Sequence, residues 1–182
     1  MFKKVSVAGT MVVLLLLSVG RAFAQTTVVL PDTSQVTTLT ATVSEQARIT
    51  VPSGVTFNVA DTANSTASSN VSLAISNVVL STATKQLRVA IQADAASFTP
   101  PVGGATTWSA SNVSWNAASW TAATGAIGTL SSSAYNTVAT CDAGAAACST
   151  SGLVFTLGAN SAVQRSGNHT LVIRWRLEST GS

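Results

Sequence analysis

The sequence predicts an all-β protein built as an antiparallel β-sandwich, Ig-like or jelly-roll-like in type. Apolar and polar residues alternate with a period of two wherever the pattern is clear, and helical periodicity is weak after residue 24. Turns rich in Gly, Pro, Asn and Ser separate these segments about every ten residues. Short alternating segments with such turns are typical of sandwiches and barrels.

The first element, residues 1–24, is predicted to be a cleaved signal peptide. A basic start at Lys3 and Lys4 precedes an apolar run over 5–19, and Ala22-Phe23-Ala24 gives the small-x-small pattern that a signal peptidase reads before Gln25. The run is shorter than the roughly 18 to 20 residues that span a bilayer. We therefore expect an exported protein, located outside the cell, at its surface or in a periplasm, with no membrane span in the mature chain.

Removal of the signal peptide changes the charge of the protein. Three of the nine basic residues leave with it, and the six that remain are matched by six acidic residues. Charged residues are therefore scarce, since an ordinary soluble domain has about a quarter of its residues charged. Without a basic patch to neutralise phosphates, nucleic acid is not expected as a partner.

The mature chain is predicted to have an N-terminal arm and one domain. Residues 25–38, with Val28, Val29 and Leu30 before Pro31, form an arm or an extra strand, and residues 39–182 form a single β-sandwich domain because no linker divides them. The first strand of the domain alternates from residue 39 to 51 with one fault at Glu45. A carboxylate on an apolar face is costly, so the strand bends there, switches sheets, or ends and a new one begins; a bend costs least and is the favoured interpretation.

Five further strands follow in order, and the last gives the clearest alternation. A Pro-Pro-Val-Gly-Gly break interrupts them at 100–104, and the polar segment 105–133 shows no clear period. The predicted strands are 55–59, 71–75, 87–93, 153–157 and 169–178.

Cys141 and Cys148 are the two cysteines, and they predict a disulfide because the protein is exported. Their spacing differs from the Cys-x-x-Cys of redox dithiols. Two thiols alone also provide too few ligands for a structural zinc ion.

The sequence lacks the residue patterns of common catalytic and metal sites. His169 is the single histidine and has no accompanying nucleophile motif, so it is interpreted as a solvated residue at a strand end. The six acids are scattered, and the loops at Asp61 and Asp142 lack the ligand density of a calcium loop. We expect a protein without catalytic activity, cofactor or metal.

Three of the four tryptophans, Trp108, Trp115 and Trp120, are the candidate ligand-binding residues. Exposed aromatic faces stack on sugar rings, and neighbouring Ser, Thr and Asn would supply hydrogen bonds. Spacings of seven and five place neighbours on opposite faces of a straight strand, so the alternative is that they pack in the core. Trp175, on the apolar face of the last strand, is predicted to be a core residue.

Several features together resemble bacterial pilin-like and spore-coat-type secreted β-sandwiches. They are the signal peptide, the Ala47-Arg48-Ile49-Thr50-Val51-Pro52 strand, the Ser/Thr/Asn-rich alternating body and the strong last strand. The resemblance lies in composition and residue pattern over most of the mature chain and includes no specific motif. It implies a subunit of a surface structure.

Sheet edges suggest the same function. Edges are usually protected by Lys, Glu or Pro, yet Lys85 is the single lysine after residue 24. Surface subunits can use such an edge to accept a strand from a neighbour. The leading hypothesis is a self-associating structural subunit whose partner is itself or another envelope protein. The alternatives are a glycan- or surface-binding module that uses the loop tryptophans and, third, an extracellular hydrolase.

Overall fold

The structure is a computed structural model, which describes residues 27–101 and 106–181. The predicted signal peptide lies outside the described residues. The all-β prediction is confirmed, because antiparallel strands and one 3-10 turn, Ala110–Asn112, form the regular structure. The strands are β1 Gln46–Thr50, β2 Thr66–Ala67, β3 Val71–Val79, β4 Gln86–Ala93, β5 Val113–Trp115, β6 Ala123–Gly125, β7 Gly128–Thr129, β8 Asn136–Cys141, β9 Cys148–Leu153, β10 Phe155–Leu157 and β11 Ile173–Thr180.

The chain divides into two units, residues 1–41 and 42–182. In the first unit, residues 27–41 contain no strand, and Val29, Val36 and Leu39 are each about nine-tenths exposed. The compact unit therefore starts at Thr42, three residues after the start expected from the sequence.

The first layer of the sandwich consists of two short sheets that follow one another. One has the order β1-β3-β9 and the other β2-β10-β5-β7. They are continuous because β9 of the first sheet ends at Leu153 and β10 of the second begins at Phe155. The side chain of Asn116 strengthens the same junction by donating to Gly152 O and accepting from Val154 N–H.

The second layer is a four-stranded sheet of order β11-β4-β8-β6. The strands β11 and β4 pair in an unbroken register from Ile173 opposite Ala93 to Thr180 opposite Gln86. On the outer face of this sheet, Glu178 binds both Arg88 and Arg176, and Arg174 binds Asp94. Many of the few charged residues of the protein therefore lie on this one face.

The core lies between the two layers in two clusters. The first contains Leu73, Ile75, Leu87 and Val89 with the disulfide Cys141–Cys148, which joins β8 of one layer to β9 of the other. The predicted disulfide is confirmed. The second, larger cluster joins inward residues of β4, β5, β8, β9 and β10, among them Ile91, Val113, Val138, Leu153 and Phe155.

The strand predicted over residues 39–51 is shorter in the structure. It begins at Gln46, immediately after the fault in the alternation, and Glu45 is an exposed residue instead of one on an apolar face. The Glu45 carboxylate accepts hydrogen bonds from Ser81 N–H at 2.8 Å and Lys85 Nζ at 2.9 Å. Of the three interpretations of this fault, the structure supports a strand that begins there, and the favoured bend within one strand was wrong.

The prediction of a paired strand over 55–59 was wrong. The side chains alternate as expected, with Val55, Phe57 and Val59 half-buried and Thr56 and Asn58 exposed. The backbone of residues 51–60, however, makes no ladder with any described strand. Alternation reports which side chains face an apolar surface, whereas a ladder also needs a partner strand within hydrogen-bonding distance.

Candidate functional site: an open groove along the sandwich

A groove of about 1200 Å³ opens along one side of the sandwich. Residues 51–60 form its first wall, and residues 163–173 with Trp175 form its second. Pockets for small molecules commonly measure roughly 300 to 1000 Å³. The groove is therefore larger and longer than most small ligands require.

The first wall offers both an apolar face and free backbone groups. Val55, Phe57 and Val59 point toward the larger core cluster. None of the hydrogen bonds among the described residues joins the backbone of 51–60 to another strand. This segment is not part of a sheet, but it carries unpaired backbone groups to which an added strand could pair.

The second wall has the same two properties. Leu171, Ile173 and Trp175 pack against the core from one side and remain half-exposed on the other. Strand β11 pairs only with β4 among the described strands, so its other edge carries free N–H and C=O groups. Both walls therefore carry unpaired backbone groups beside an apolar groove.

Buried apolar side chains form the floor of the groove. Trp108 and Phe98 contact each other edge-on with ring centroids 6.4 Å apart, and the Trp108 indole N–H donates to Gly158 O over 2.9 Å. The other floor residues, contributed by several strands and loops, are Val113, Leu130, Phe155 and Leu157. The core itself is therefore accessible through the groove.

His169 fixes the rim of the groove. Its Nδ1 lies 2.8 Å from the Thr107 hydroxyl, its Nε2 donates to Arg165 O over 3.2 Å, and its ring contacts Trp108 edge-on. A neutral ring that donates from Nε2 can accept the Thr107 hydroxyl at Nδ1. The residue was expected to be solvated at a strand end, but it is half-buried and holds a loop in place.

The groove is almost free of charge. Among the described residues that line it, Arg165 is the one charged side chain, and it is exposed without an ion-pair partner in the described part of the chain. An apolar strip with a single cation at one end suits an apolar segment that carries one anion.

The candidate tryptophans do not form a common surface. Trp108 and Trp115 are 4% and 3% exposed, and both belong to the larger core cluster. Trp120 is half-buried, with its indole nitrogen buried and without a hydrogen-bond partner. For Trp108 and Trp115 this arrangement agrees with the alternative that the tryptophans pack in the core. Glycan binding stays a prediction, and neither of these two rings exposes a face on which a sugar could stack.

The described residues contain no cluster of His, Cys, Asp or Glu that could hold a metal ion. Across the same described part of the chain, helices of the length and apolarity needed to cross a membrane are also absent. Comparison of the chain with protein-family models, with curated proteins and with solved structures finds no match.

Proposed function

We propose that this protein is an exported structural subunit without catalytic activity, which assembles at the cell surface by accepting a strand in its groove. The observation that carries the proposal is that residues 51–60 and the outer edge of β11 both carry unpaired backbone groups and line one groove with an apolar floor. A polypeptide in extended conformation would satisfy both edges and cover the floor at the same time.

The contrast between the two sides of the sandwich supports this proposal. On the closed side, Thr121 and Ser149 join the layers by two backbone hydrogen bonds. On the groove side, residues 51–60 and 171–175 leave space for a strand between them. Because a long apolar edge is an aggregation hazard in a monomer, its presence is best explained by a partner that covers it.

Sedimentation velocity of the purified mature protein over a concentration series tests the proposal. We expect mass-action assembly above a threshold concentration and its loss in Phe57→Asp, which places a carboxylate on the groove face. Thr124→Asp is the control, because Thr124 is exposed in β6, outside the groove, and this variant should assemble as the unmodified protein does.

Assembly that is the same in Phe57→Asp and in the unmodified protein would show that the groove is not the contact. A protein that remains monomeric at every concentration would contradict self-association altogether. Circular dichroism of both variants establishes that they fold.

A further inference from the structure

We propose that the strand accepted by the groove is residues 32–43 of a second copy, which enters antiparallel to residues 51–60, with Asp32 of the incoming copy paired to Arg165. This inference rests on the proposed function and adds the partner, the direction and the register. It is carried by complementary charge, matching length and matching apolar pattern.

The charges are complementary and occur once on each component. Arg165 is the one charged residue among those that line the groove. Asp32 is the one charged residue in the segment 27–44. Its carboxylate accepts hydrogen bonds from Ser34 and Gln35 but has no cationic partner among the described residues. An ion pair between them would fix one register among several that an apolar strand could adopt.

The position of Arg165 sets the direction of the incoming strand. Asn160 donates to Thr62 O and to Thr107 O, and His169 links Thr107 to Arg165 O. These bonds place Arg165 on the side of the groove where the first wall ends, near Ala60. Trp175 packs, with Ile49 just before Val51, against the smaller core cluster, which marks the other end. A strand with Asp32 at the Arg165 end must therefore run from Ala60 toward Val51, antiparallel to the first wall.

The two lengths are similar. The ten residues of the first wall span about 33 Å at about 3.3 Å per residue. Residues 32–43 in extended conformation span about 40 Å by the same measure, two residues more than the wall. With Asp32 at one end, the alternating Leu39, Ala41 and Val43 reach the half of the groove where Trp175 and Val55 leave apolar surface exposed.

The local sequence favours a second copy over the chain's own arm. To enter its own groove, an arm would have to reverse direction at Ser44 and Glu45, where Ser44 favours a turn but no Gly, Pro, Asn or Asp is present. Glu45 is also held at the start of β1 by Ser81 and Lys85. An arm that enters the groove of another molecule makes a head-to-tail contact, and such a contact propagates into a filament.

Charge reversal in the full mature chain tests this inference. Asp32→Arg and Arg165→Asp, each alone, should weaken self-association roughly tenfold at low ionic strength, because an ion pair is replaced by repulsion. An equimolar mixture of the two variants should regain assembly, since each arm then meets a groove of opposite charge. High salt should reduce all of these differences. Arg48→Asp and Asp142→Arg are matched controls at exposed positions away from the groove, and they should assemble normally.

The outcomes separate this inference from the proposed function. Single variants that assemble as well as the unmodified protein would overturn the ion pair, although strand addition would stand. Single variants that are impaired and are not restored by mixing would indicate that each arm occupies its own groove, which also overturns the inference. An unmodified protein that never associates would contradict the proposed function and this inference together.

Discussion

Thr121 and Ser149 exchange two backbone hydrogen bonds, 2.8 Å and 3.2 Å long, which connect the two layers of the sandwich. Thr121 lies just before β6 at the edge of one layer, and Ser149 lies in β9 of the other. No equivalent connection joins residues 51–60 to β11 among the described residues. The sandwich is thus closed on one side and open on the other, and the proposed function depends on this difference.

Thr150→Val should weaken the closed side. The Thr150 side chain is buried, and its hydroxyl donates to Ser119 O over 2.6 Å and accepts from Gly152 N–H over 3.1 Å. Valine has nearly the same shape but cannot make either bond, so we expect a loss of about 1 to 2 kcal/mol in the free energy of unfolding. Urea unfolding measures it. Ser151→Ala, at an exposed position of the same strand, is the control, and an equal loss there would contradict the explanation.

Replacement of both cysteines by alanine, Cys141→Ala with Cys148→Ala, removes the disulfide and should destabilise the protein by about 2 to 3 kcal/mol. The effect is of this size because the loop that the disulfide closes is short. Both positions are buried in the smaller core cluster, so the lost side-chain packing adds to this value. Guanidinium unfolding of the oxidised protein and the double variant measures the difference. A change below about 1 kcal/mol would show that the disulfide does not help to hold the layers together.

Stability should fall with acid between about pH 4.5 and pH 2. Hydrogen bonds from Ser81 and the Lys85 ammonium lower the pKa of Glu45 from 4.5 to about 2. Because the folded pKa is depressed, the carboxylate's contribution is complete above the unfolded value and is lost as the pH falls toward the folded one. Glu45→Gln should therefore lose stability at neutral pH and respond less to acid over this range.

The control for that prediction is Asp142→Asn, which removes an exposed carboxylate without an ion-pair partner among the described residues. Thermal unfolding of the three proteins at several pH values makes the comparison. Identical acid profiles for the unmodified protein and Glu45→Gln would contradict the assignment. Between pH 5 and 8 we expect little change in stability, since few groups titrate there.

Trp175 should report occupation of the groove. Its ring is half-buried in the second wall, whereas Trp108 and Trp115 are buried in the core. On assembly we expect a blue shift of tryptophan emission that is absent in Trp175→Phe, because Trp108 and Trp115 are already buried and the half-buried Trp120 does not line the groove. A shift of equal size in Trp175→Phe would locate the change elsewhere. Glycans should produce no shift.

The local pattern of the sequence was sufficient for the fold class. The alternation at Leu87–Ala93 and around Trp175 predicts two strands, and the structure pairs them as β4 and β11. The fault at Glu45 marks the residue before β1. These features depend on which side chains face apolar surroundings, and a period of two records that directly.

The groove could not be predicted in the same way. Val55, Phe57 and Val59 alternate as a paired strand would, and nothing in the segment shows that its neighbour is missing. Pairing depends on residues more than one hundred positions away in β11, and the role of Arg165 depends on where the loop after Asn160 places it. The disulfide was predicted correctly, because the sequence contains two cysteines and each has one possible partner.

Amide hydrogen exchange of residues 51–60, at a concentration where the protein is monomeric and again in the assembled protein, tests strand addition most directly. In the monomer these amides have no backbone partner, so they should exchange rapidly. Assembly should protect alternate amides of this segment, while the exposed loop at 142–147 stays unchanged. Assembly that leaves residues 51–60 as unprotected as in the monomer would contradict strand addition in the groove.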